Sequence, residues 1–248
     1  GIVLNLSKDH QSVEEVAALF KTFTRQSQWA AVNADDPRMQ HIEANERFGS
    51  GATATWKPSR IDIAADGVRL ERNGRSFHLP LPGRHNAENL CAALCVCDHL
   101  ACDMNAVARA VAAYEGVARR FSVTRTKQGV VVVDDFAHNP AKIAAAIDAA
   151  RTLSPRIIAV YQPHGFKPTR FLKNEYIETF RNALTACDVL ILLPIYYAGG
   201  TVEKNISSGE IIRDLGTVSF IAQTVTERDQ SLALLQETAK PGDCVLLM

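Results

Sequence analysis

The stretch that most constrains the fold is residues 129–151, which reads GVVVVDDFAHNPAKIAAAIDAAR. Four consecutive valines, residues 130–133, form an apolar β-branched run without alternation, which predicts a strand buried on both faces. Asp134 and Asp135 follow the run, and a proline then suits the first position of an alanine-rich helix. A strand end carrying two acids and His138 lies where open α/β sheets bind ligands, although the acid pair could equally cap the helix.

The second half of the chain alternates regularly between apolar runs and helical segments. This rhythm predicts a parallel sheet with helices on both faces. The predicted strands are 130–133, 157–161, 189–193, 218–221 and 245–247, and the predicted helices are 140–151, 171–185, 207–215 and 228–239. Polar residues cluster where the strands end, which favours a binding site at that rim; they are Asp134, Asp135, His138, Gln162, His164, Arg170, Tyr196, Tyr197, Gly199 and Gly200.

The first half has a different pattern. Ser12 and Glu15 have the spacing of a capping box before a helix. Short alternating runs with Asp-Gly and Asn-Gly turns predict an antiparallel meander over residues 48–81. A long helix that GRHNAENL (83–90) opens and that runs to about residue 101, and a second over 106–114, capped by Asn105, should follow. We predict a domain boundary after residue 121, giving domains 1–121 and 122–248.

Composition excludes several function classes. Lysine plus arginine and aspartate plus glutamate number 27 each, so no nucleic-acid partner is indicated. No apolar run is long enough to span a bilayer, so we expect no membrane partner and a cytoplasmic location. The cysteines at 91, 95, 97 and 102 lack the spacing of a zinc site and are interpreted as buried, reduced core residues.

Common nucleotide motifs do not settle the function. The first strand of the second half is not followed by GxGxxG, which argues against a nicotinamide dehydrogenase, and GxxxxGK[ST] is absent from the 248 residues. GxSxG, the nucleophile motif of α/β hydrolases, is absent as well. The residues alone therefore predict a two-domain α/β protein with a polar rim between its domains.

Four motifs in order resemble the Mur ligase family. They are GRHNAENLCAAL (83–94), GVARRF (116–121), VVDDFAHNPAKI (132–143) and YQPHGFKPTR (161–170), and NLSKDH (5–10) is similar to the family segment after the central sheet strand. The resemblance implies the latter part of a central ATP-binding domain followed by a Rossmann-like, mostly parallel α/β C-terminal domain. It also implies an ATP- and Mg²⁺-dependent ligase of peptidoglycan synthesis. Such a ligase adds an amino acid, expected here to be L-alanine, to a UDP-N-acetylmuramate-type carboxylate through an acyl phosphate.

The resemblance also implies which residues bind the metal ion, the nucleotide and the substrates, and which take part in catalysis. His10 matches a histidine near the Mg²⁺ ion, and Arg120 matches an arginine that approaches the phosphates and takes part in catalysis. Nucleotide contacts are implied for Asn86 and Asn89 beside the adenine and for Asp135 at the ribose. His138 is implied at the incoming amino acid and the reacting centre, and His164 and Arg170 are implied to orient anionic substrate groups.

Departures from the family pattern leave alternatives open. The alanine-adding pattern has a second histidine where Asn139 stands and an arginine where Gly165 stands, and the segment DHLD reads DHQS here. A ligase that recycles murein peptides, or a non-catalytic relative that only binds a ligand, therefore remains an alternative. The family's UDP-sugar domain and phosphate loop are not in these residues, so we expect both ends to be truncated and the 248-residue polypeptide alone to lack ligase turnover.

Overall fold

A computed structural model describes residues 1–8, 11–197, 199 and 201–248. The chain forms two compact units, Gly1–Glu115 and Gly116–Met248. The domain boundary predicted after residue 121 stays a prediction. Within the described residues, no helix is both long and apolar enough to cross a membrane.

The first unit begins with a small parallel sheet. Strands β1 (Ile2–Val3), β2 (Ala31–Asn33) and β3 (Glu46–Phe48) pair in that order. Helix α1 (Val13–Gln26) starts at the predicted capping box, because Ser12 Oγ accepts from the backbone N–H of Glu15 and the Glu15 side chain accepts from that of Ser12. A short 3-10 turn, Pro37–Met39, lies between β2 and β3.

The predicted meander is present as β4 (Arg60–Ala64), β5 (Gly67–Arg72) and β6 (Arg75–Leu79), all antiparallel. Asn73 and Gly74 both have positive φ, as the tight turn between β5 and β6 requires. The meander is shorter than predicted, since Phe48 belongs to the parallel strand β3.

Helices α2 (Arg84–His99) and α3 (Met104–Ala112) follow the meander and pack on it. The cap of α3 is Asp103, whose side chain accepts from the Asn105 N–H, so the prediction of Asn105 as the cap was wrong by two residues. Trp56 connects β5 to α2. Its Nε1 donates to Asp98 of α2 at 2.7 Å, and the guanidinium of Arg72, at the end of β5, stacks on its indole ring.

The second unit contains a six-stranded sheet. Its strands are β7 (Ser122–Arg125), β8 (Val131–Asp134), β9 (Ile157–Tyr161), β10 (Val189–Leu192), β11 (Ile221–Thr224) and β12 (Cys244–Leu247). They lie in the order β11-β10-β9-β12-β8-β7, and every pairing is parallel except that of the edge strand β7 with β8. The mostly parallel architecture predicted from the sequence is confirmed.

Helices cover both faces of this sheet. They are α4 (Pro140–Arg151), α5 (Phe166–Phe171), α6 (Lys173–Ala183), α7 (Ser208–Leu215) and α8 (Arg228–Thr238). Apolar residues of α4, α6 and α7 join the larger core on one face, and α8 packs on the other. The valine run behaves accordingly, because Val131 and Val133 are buried in the larger core while Val130 and Val132 are partly buried against the opposite one.

Two elements of the second unit depart from the prediction by more than one residue, for physical reasons. The helix expected over 171–185 is two helices, because the chain turns at Leu172 between α5 and α6. The strand expected at 218–221 is β11, which begins at Ile221. Val218 and Phe220 supply the apolar signal but pack against the larger core ahead of the strand.

Candidate active site

The strongest cluster of polar groups lies where β8 ends in the second unit. Asn139, 1% exposed, is the cap of α4, and its side chain accepts from the Lys142 N–H at 3.0 Å. The interpretation of Asp134 or Asp135 as the cap is therefore wrong. Because Asn139 ends the loop and starts the helix, residues 135–138 form a short turn that is fixed at both ends.

His138 is the best-fixed side chain of this turn. Its Nδ1 lies 2.9 Å from the Phe136 carbonyl and its Nε2 lies 3.2 Å from Lys142 Nζ. The His138 carbonyl accepts from the Tyr176 hydroxyl at 2.9 Å and from the Tyr161 hydroxyl at 3.4 Å. Burial, and then the neighbouring Tyr176, raises the pKa of Tyr161 well above its ordinary value, so its hydroxyl stays protonated and can donate.

The two acids differ in their contacts. Asp135 is hydrogen-bonded to the segment before β7: its Oδ2 accepts from the Phe121 N–H at 2.8 Å, a contact called the Phe121 clip below. Asp134 Oδ2 lies 4.0 Å from Arg119 Nε, and its side chain is 46% exposed. Since the clip uses one oxygen of Asp135, the other oxygen can still accept from a ligand hydroxyl.

Cationic side chains gather around the exposed ring of Phe136. The guanidinium carbon of Arg119 lies 5.0 Å from the ring centroid and that of Arg120 lies 5.5 Å from it. Both arginines are exposed, and each contact is within cation–π range. Arg120 and Asp135 are thus brought to one end of the sheet, next to His138.

The end of β9 supplies a second group. His164 stacks on Tyr196 with ring centroids 4.9 Å apart, and the two residues form an isolated parallel bridge. Gly165 has a φ of +80°, the left-handed region that favours glycine, and it caps α5. Arg170 lies in α5 itself, 4.0 Å from Glu203 Oε2, and both side chains are substantially exposed.

The remaining predicted residues lie in the first unit or outside the described residues. Asn86 is buried, and its amide donates to the Pro82 carbonyl at 2.8 Å, while Asn89 is exposed on α2. His10 and Gly200 lie outside the described residues. Within the part of the chain that the structure describes, no cluster of three or more His, Cys, Asp or Glu side chains could hold a metal ion.

Sequence reasoning missed several contacts around His138. The sequence marks Lys142 only as a residue of the predicted helix 140–151, and because His138 precedes that helix, the i, i+4 rule for helical side chains does not pair the two. Tyr161 belongs to the apolar run of β9 and Tyr176 to the helical pattern of α6, and neither pattern indicates that the hydroxyl groups donate to His138. The Phe121 clip to Asp135 involves a backbone N–H, which no side-chain pattern can reveal.

Comparison with known families identifies two domains in the chain. The "Mur ligase middle domain" matches residues 1–97, and the "Mur ligase, glutamate ligase domain" matches residues 119–248, more than half of the chain. The chain belongs to the Mur ligase family.

Curated relatives of this Mur ligase chain include UDP-N-acetylmuramate–L-alanine ligases. The protein of Allorhizobium ampelinum is 36% identical over 73% of the chain and 39% of its own length. The protein of Thermobifida fusca is 31% identical over the whole chain and 57% of its own length. The chain therefore spans between about two fifths and three fifths of these relatives.

Solved structures show the same fold. UDP-N-acetylmuramate-alanine ligase MurC from Thermotoga maritima has a TM-score of 0.67 at 21% identity, over 99% of this chain and 55% of that one. MurF ligase from the same organism, solved in complex with ADP, has a TM-score of 0.68 at 18% identity over 95% of this chain and 54% of that one. The murein peptide ligase Mpl from Psychrobacter arcticus has a TM-score of 0.63 at 17% identity, over 100% of this chain and 53% of that one.

Proposed function

We propose that the chain is part of an ATP-dependent ligase of peptidoglycan synthesis. The proposed reaction joins an amino acid, with L-alanine as the favoured candidate, to a UDP-N-acetylmuramate-type carboxylate. The observation that carries the proposal is the match of two Mur ligase domains in family order, with the fixed turn around His138 at the carboxyl end of β8. A cytoplasmic location is part of the same proposal.

ATP would supply the phosphoryl group that activates the carboxylate. The chain's residues fit a nucleotide in two respects. Asp135 holds one oxygen on the Phe121 N–H and keeps the other for a ribose hydroxyl, and the exposed guanidinium of Arg120 can meet a phosphate. In the first unit, Asn86 is bonded to Pro82, so it shapes the start of α2, and the exposed amide of Asn89 is the simpler adenine partner.

A magnesium ion with ATP stays a prediction. His10, the residue expected near the ion, lies outside the described residues, and no cluster of three ligands occurs within 1–8, 11–197, 199 and 201–248.

The residues at the carboxyl ends of β8 and β9 would hold the substrates in reacting positions. In the proposed reaction the amine forms a C–N bond with the activated carbonyl and loses a proton, and the C–O bond to phosphate breaks. Negative charge develops on the carbonyl oxygen and the leaving phosphate, so nearby cations lower the barrier. Arg120 and Arg170 are the cations proposed to face that charge, His138 is proposed to lie beside the incoming amino acid, and His164 is proposed to orient the substrate.

Two alternatives follow from specific residues. Asn139 is buried as a helix cap and Gly165 has no side chain, so neither offers the group found in the alanine-adding pattern. That difference favours a changed substrate, as in a ligase that recycles murein peptides, or a non-catalytic protein that only binds a ligand.

The test is an assay of the complete gene product with ATP, Mg²⁺ and candidate substrates, following ADP release and the mass of the amide product. We expect turnover with UDP-N-acetylmuramate and L-alanine. Turnover only with a murein peptide would support the recycling ligase, and ATP binding without turnover would support the binder.

Two variants test the site. Asp135→Asn keeps an oxygen for the Phe121 clip but removes the charge, and Arg120→Ala removes the cation. Each should lower kcat/KM at least about tenfold, a loss of roughly 1.4 kcal/mol of transition-state stabilisation. The matched controls are Asp148→Asn and Arg125→Ala, which alter exposed residues of the same unit. Equal effects in a variant and its control would argue against the proposed site.

The 248-residue polypeptide alone should show no turnover, because it lacks the GxxxxGK[ST] loop that cradles phosphates. ATP-dependent amide formation by a preparation of verified mass would contradict this expectation.

A further inference from the structure

The side chain of Lys142 is held at an unusual place for a lysine. It is the third residue of α4, and its backbone N–H is already bonded to the cap Asn139. The first turn of a helix favours acidic side chains, and a capping box would place glutamate or glutamine at this position. The first turn of α4 contains no acidic residue. A lysine there is mildly unfavourable for the helix, so a role other than helix stability is indicated.

The contacts of His138 fix the state of its ring. The Phe136 carbonyl can only accept a hydrogen bond, so the His138 Nδ1, 2.9 Å away, must carry the proton. The other nitrogen, Nε2, lies 3.2 Å from the ammonium of Lys142, which can only donate. Both contacts are satisfied together by one form: the neutral Nδ1–H tautomer with the Nε2 lone pair directed at Lys142.

The backbone of the turn reinforces this geometry. Tyr161 and Tyr176 donate to the His138 carbonyl from β9 and α6, and the next residue is the buried cap. His138 can therefore change its ring contacts only by rotating its side chain, because its main chain is fixed on both sides.

We propose that Lys142 is a positioning residue that holds His138 in the Nδ1–H tautomer with its Nε2 lone pair occupied, so that His138 does not take the proton of the attacking amine. A general base needs a lone pair within reach of the proton. The lone pair of Nε2 faces the Lys142 ammonium and Nδ1 carries a proton, so neither ring nitrogen is available as a base. This inference rests on the proposed ligase function for its chemical consequence, whereas the tautomer can be measured without any activity.

The first experiment measures the tautomer in the 248-residue chain by NMR with ¹⁵N-labelled histidine. At about pH 8.5, well above the ordinary histidine pKa of about 6.5, one-bond and two-bond couplings distinguish Nδ1–H from Nε2–H. A His138→Gln variant identifies the signal. We expect Nδ1–H in the native chain and in Lys142→Arg, which keeps a donor, and a shift toward Nε2–H in Lys142→Met.

The control is Lys127→Met, since Lys127 is an exposed lysine between β7 and β8 of the same unit. It should leave the His138 signal unchanged. An Nε2–H tautomer in the native chain, or an identical spectrum in Lys142→Met, would overturn the proposal.

The second experiment measures kinetics in the complete gene product. Lys142→Met should lower kcat roughly tenfold while KM for the amino acid changes less than about threefold, and Lys142→Arg should recover most of kcat. A large rise in KM with unchanged kcat would show that Lys142 binds the amino acid directly, and the positioning role would be wrong. If the complete protein has no ligase activity, the proposed function fails, and the tautomer measurement alone decides the role of Lys142.

Discussion

Asp188, immediately before β10, offers a quantitative test of what holds the second unit together. Its side chain is fully buried, and its Oδ1 accepts from Arg151 at 2.9 Å and from the Ile157 N–H at 2.7 Å. Its Oδ2 accepts from Arg151 at 2.6 Å and from both the N–H and the hydroxyl of Thr185. The carboxylate therefore joins α4, β9 and the segment before β10 at one point.

Substitution Asp188→Asn keeps the shape but replaces one acceptor oxygen by an NH₂ group that faces donors. Whichever way the amide turns, at least two donors lose their acceptor, and the Arg151 guanidinium loses its counter-charge. Each buried donor without a partner costs about 1–3 kcal/mol, and breaking a buried ion pair from one side costs about 3–5 kcal/mol in total. Because domains are stable by only about 5–15 kcal/mol, we expect a fall in Tm of roughly 10–20 °C.

The assay is urea and thermal unfolding followed by near-UV circular dichroism of the buried tyrosines Tyr161 and Tyr176. Asp148→Asn, an exposed change on α4, is the control and should stay within about 0.5 kcal/mol of the native chain. A loss below about 1 kcal/mol for Asp188→Asn would refute the reasoning.

The same carboxylate makes stability depend on pH. Burial alone would raise the pKa of Asp188, but its bonds to Arg151, Ile157 and Thr185 outweigh that effect and hold the pKa below its usual 3.8. A lowered pKa in the folded state stabilises the protein above the unfolded value of about 3.9 and loses that contribution as pH falls through the folded value. The native chain should therefore lose stability on acidification below about pH 4, and the acid-induced loss should be smaller in Asp188→Asn.

Three further predictions concern other parts of the chain. Replacing the cap Asn139 by alanine should cost about 1 kcal/mol of unfolding free energy, measurable by urea titration. Asp98→Ala should destabilise the first unit by about 1–3 kcal/mol and change the fluorescence of Trp56, because the indole N–H loses its acceptor. Iodoacetamide at about pH 8 should modify the exposed thiols of Cys102 and Cys187 first, as read by mass spectrometry. Burial raises the pKa values of three other thiols, which should resist until the chain unfolds: Cys91 and Cys95 to about 12, and Cys244 to about 11.

The sequence was most informative where one physical effect dominates. Periodicity located α4 and β9 to the residue, because a valine or isoleucine run and an alanine-rich helix each have one favourable structure. It failed at β11, where Val218 and Phe220 satisfy the core from an irregular segment. It also failed for Cys102, which was interpreted as buried and is exposed at the end of α2, because apolar composition does not say where a helix leaves the core.

The candidate site was predictable only in outline. Polar residues after β8 and β9 indicated a rim, since parallel strands end at the same edge of a sheet. The roles within the rim depend on contacts that sequence patterns do not contain. Asn139 serves as the cap in place of the acids, Lys142 meets His138, and a backbone N–H takes one oxygen of Asp135.

In this sheet, the residues that stabilise the fold and the residues proposed to act in chemistry lie at opposite ends of the strands. Asp188 and the Arg156–Asp243 pair lie where β9, β10 and β12 begin, whereas His138, Asp135 and His164 lie beyond the ends of β8 and β9. In the first group the carboxylates of Asp188 and Asp243 are buried and accept several hydrogen bonds, whereas in the second group His164 is exposed and His138 and Asp135 are partly exposed. A change at Asp188 that leaves the chain folded should therefore lower Tm without altering the His138 tautomer, and Lys142→Met should alter the tautomer with little change in Tm. If either variant clearly changed both Tm and the His138 tautomer, the two ends of the strands would be energetically coupled and this division of roles would be wrong.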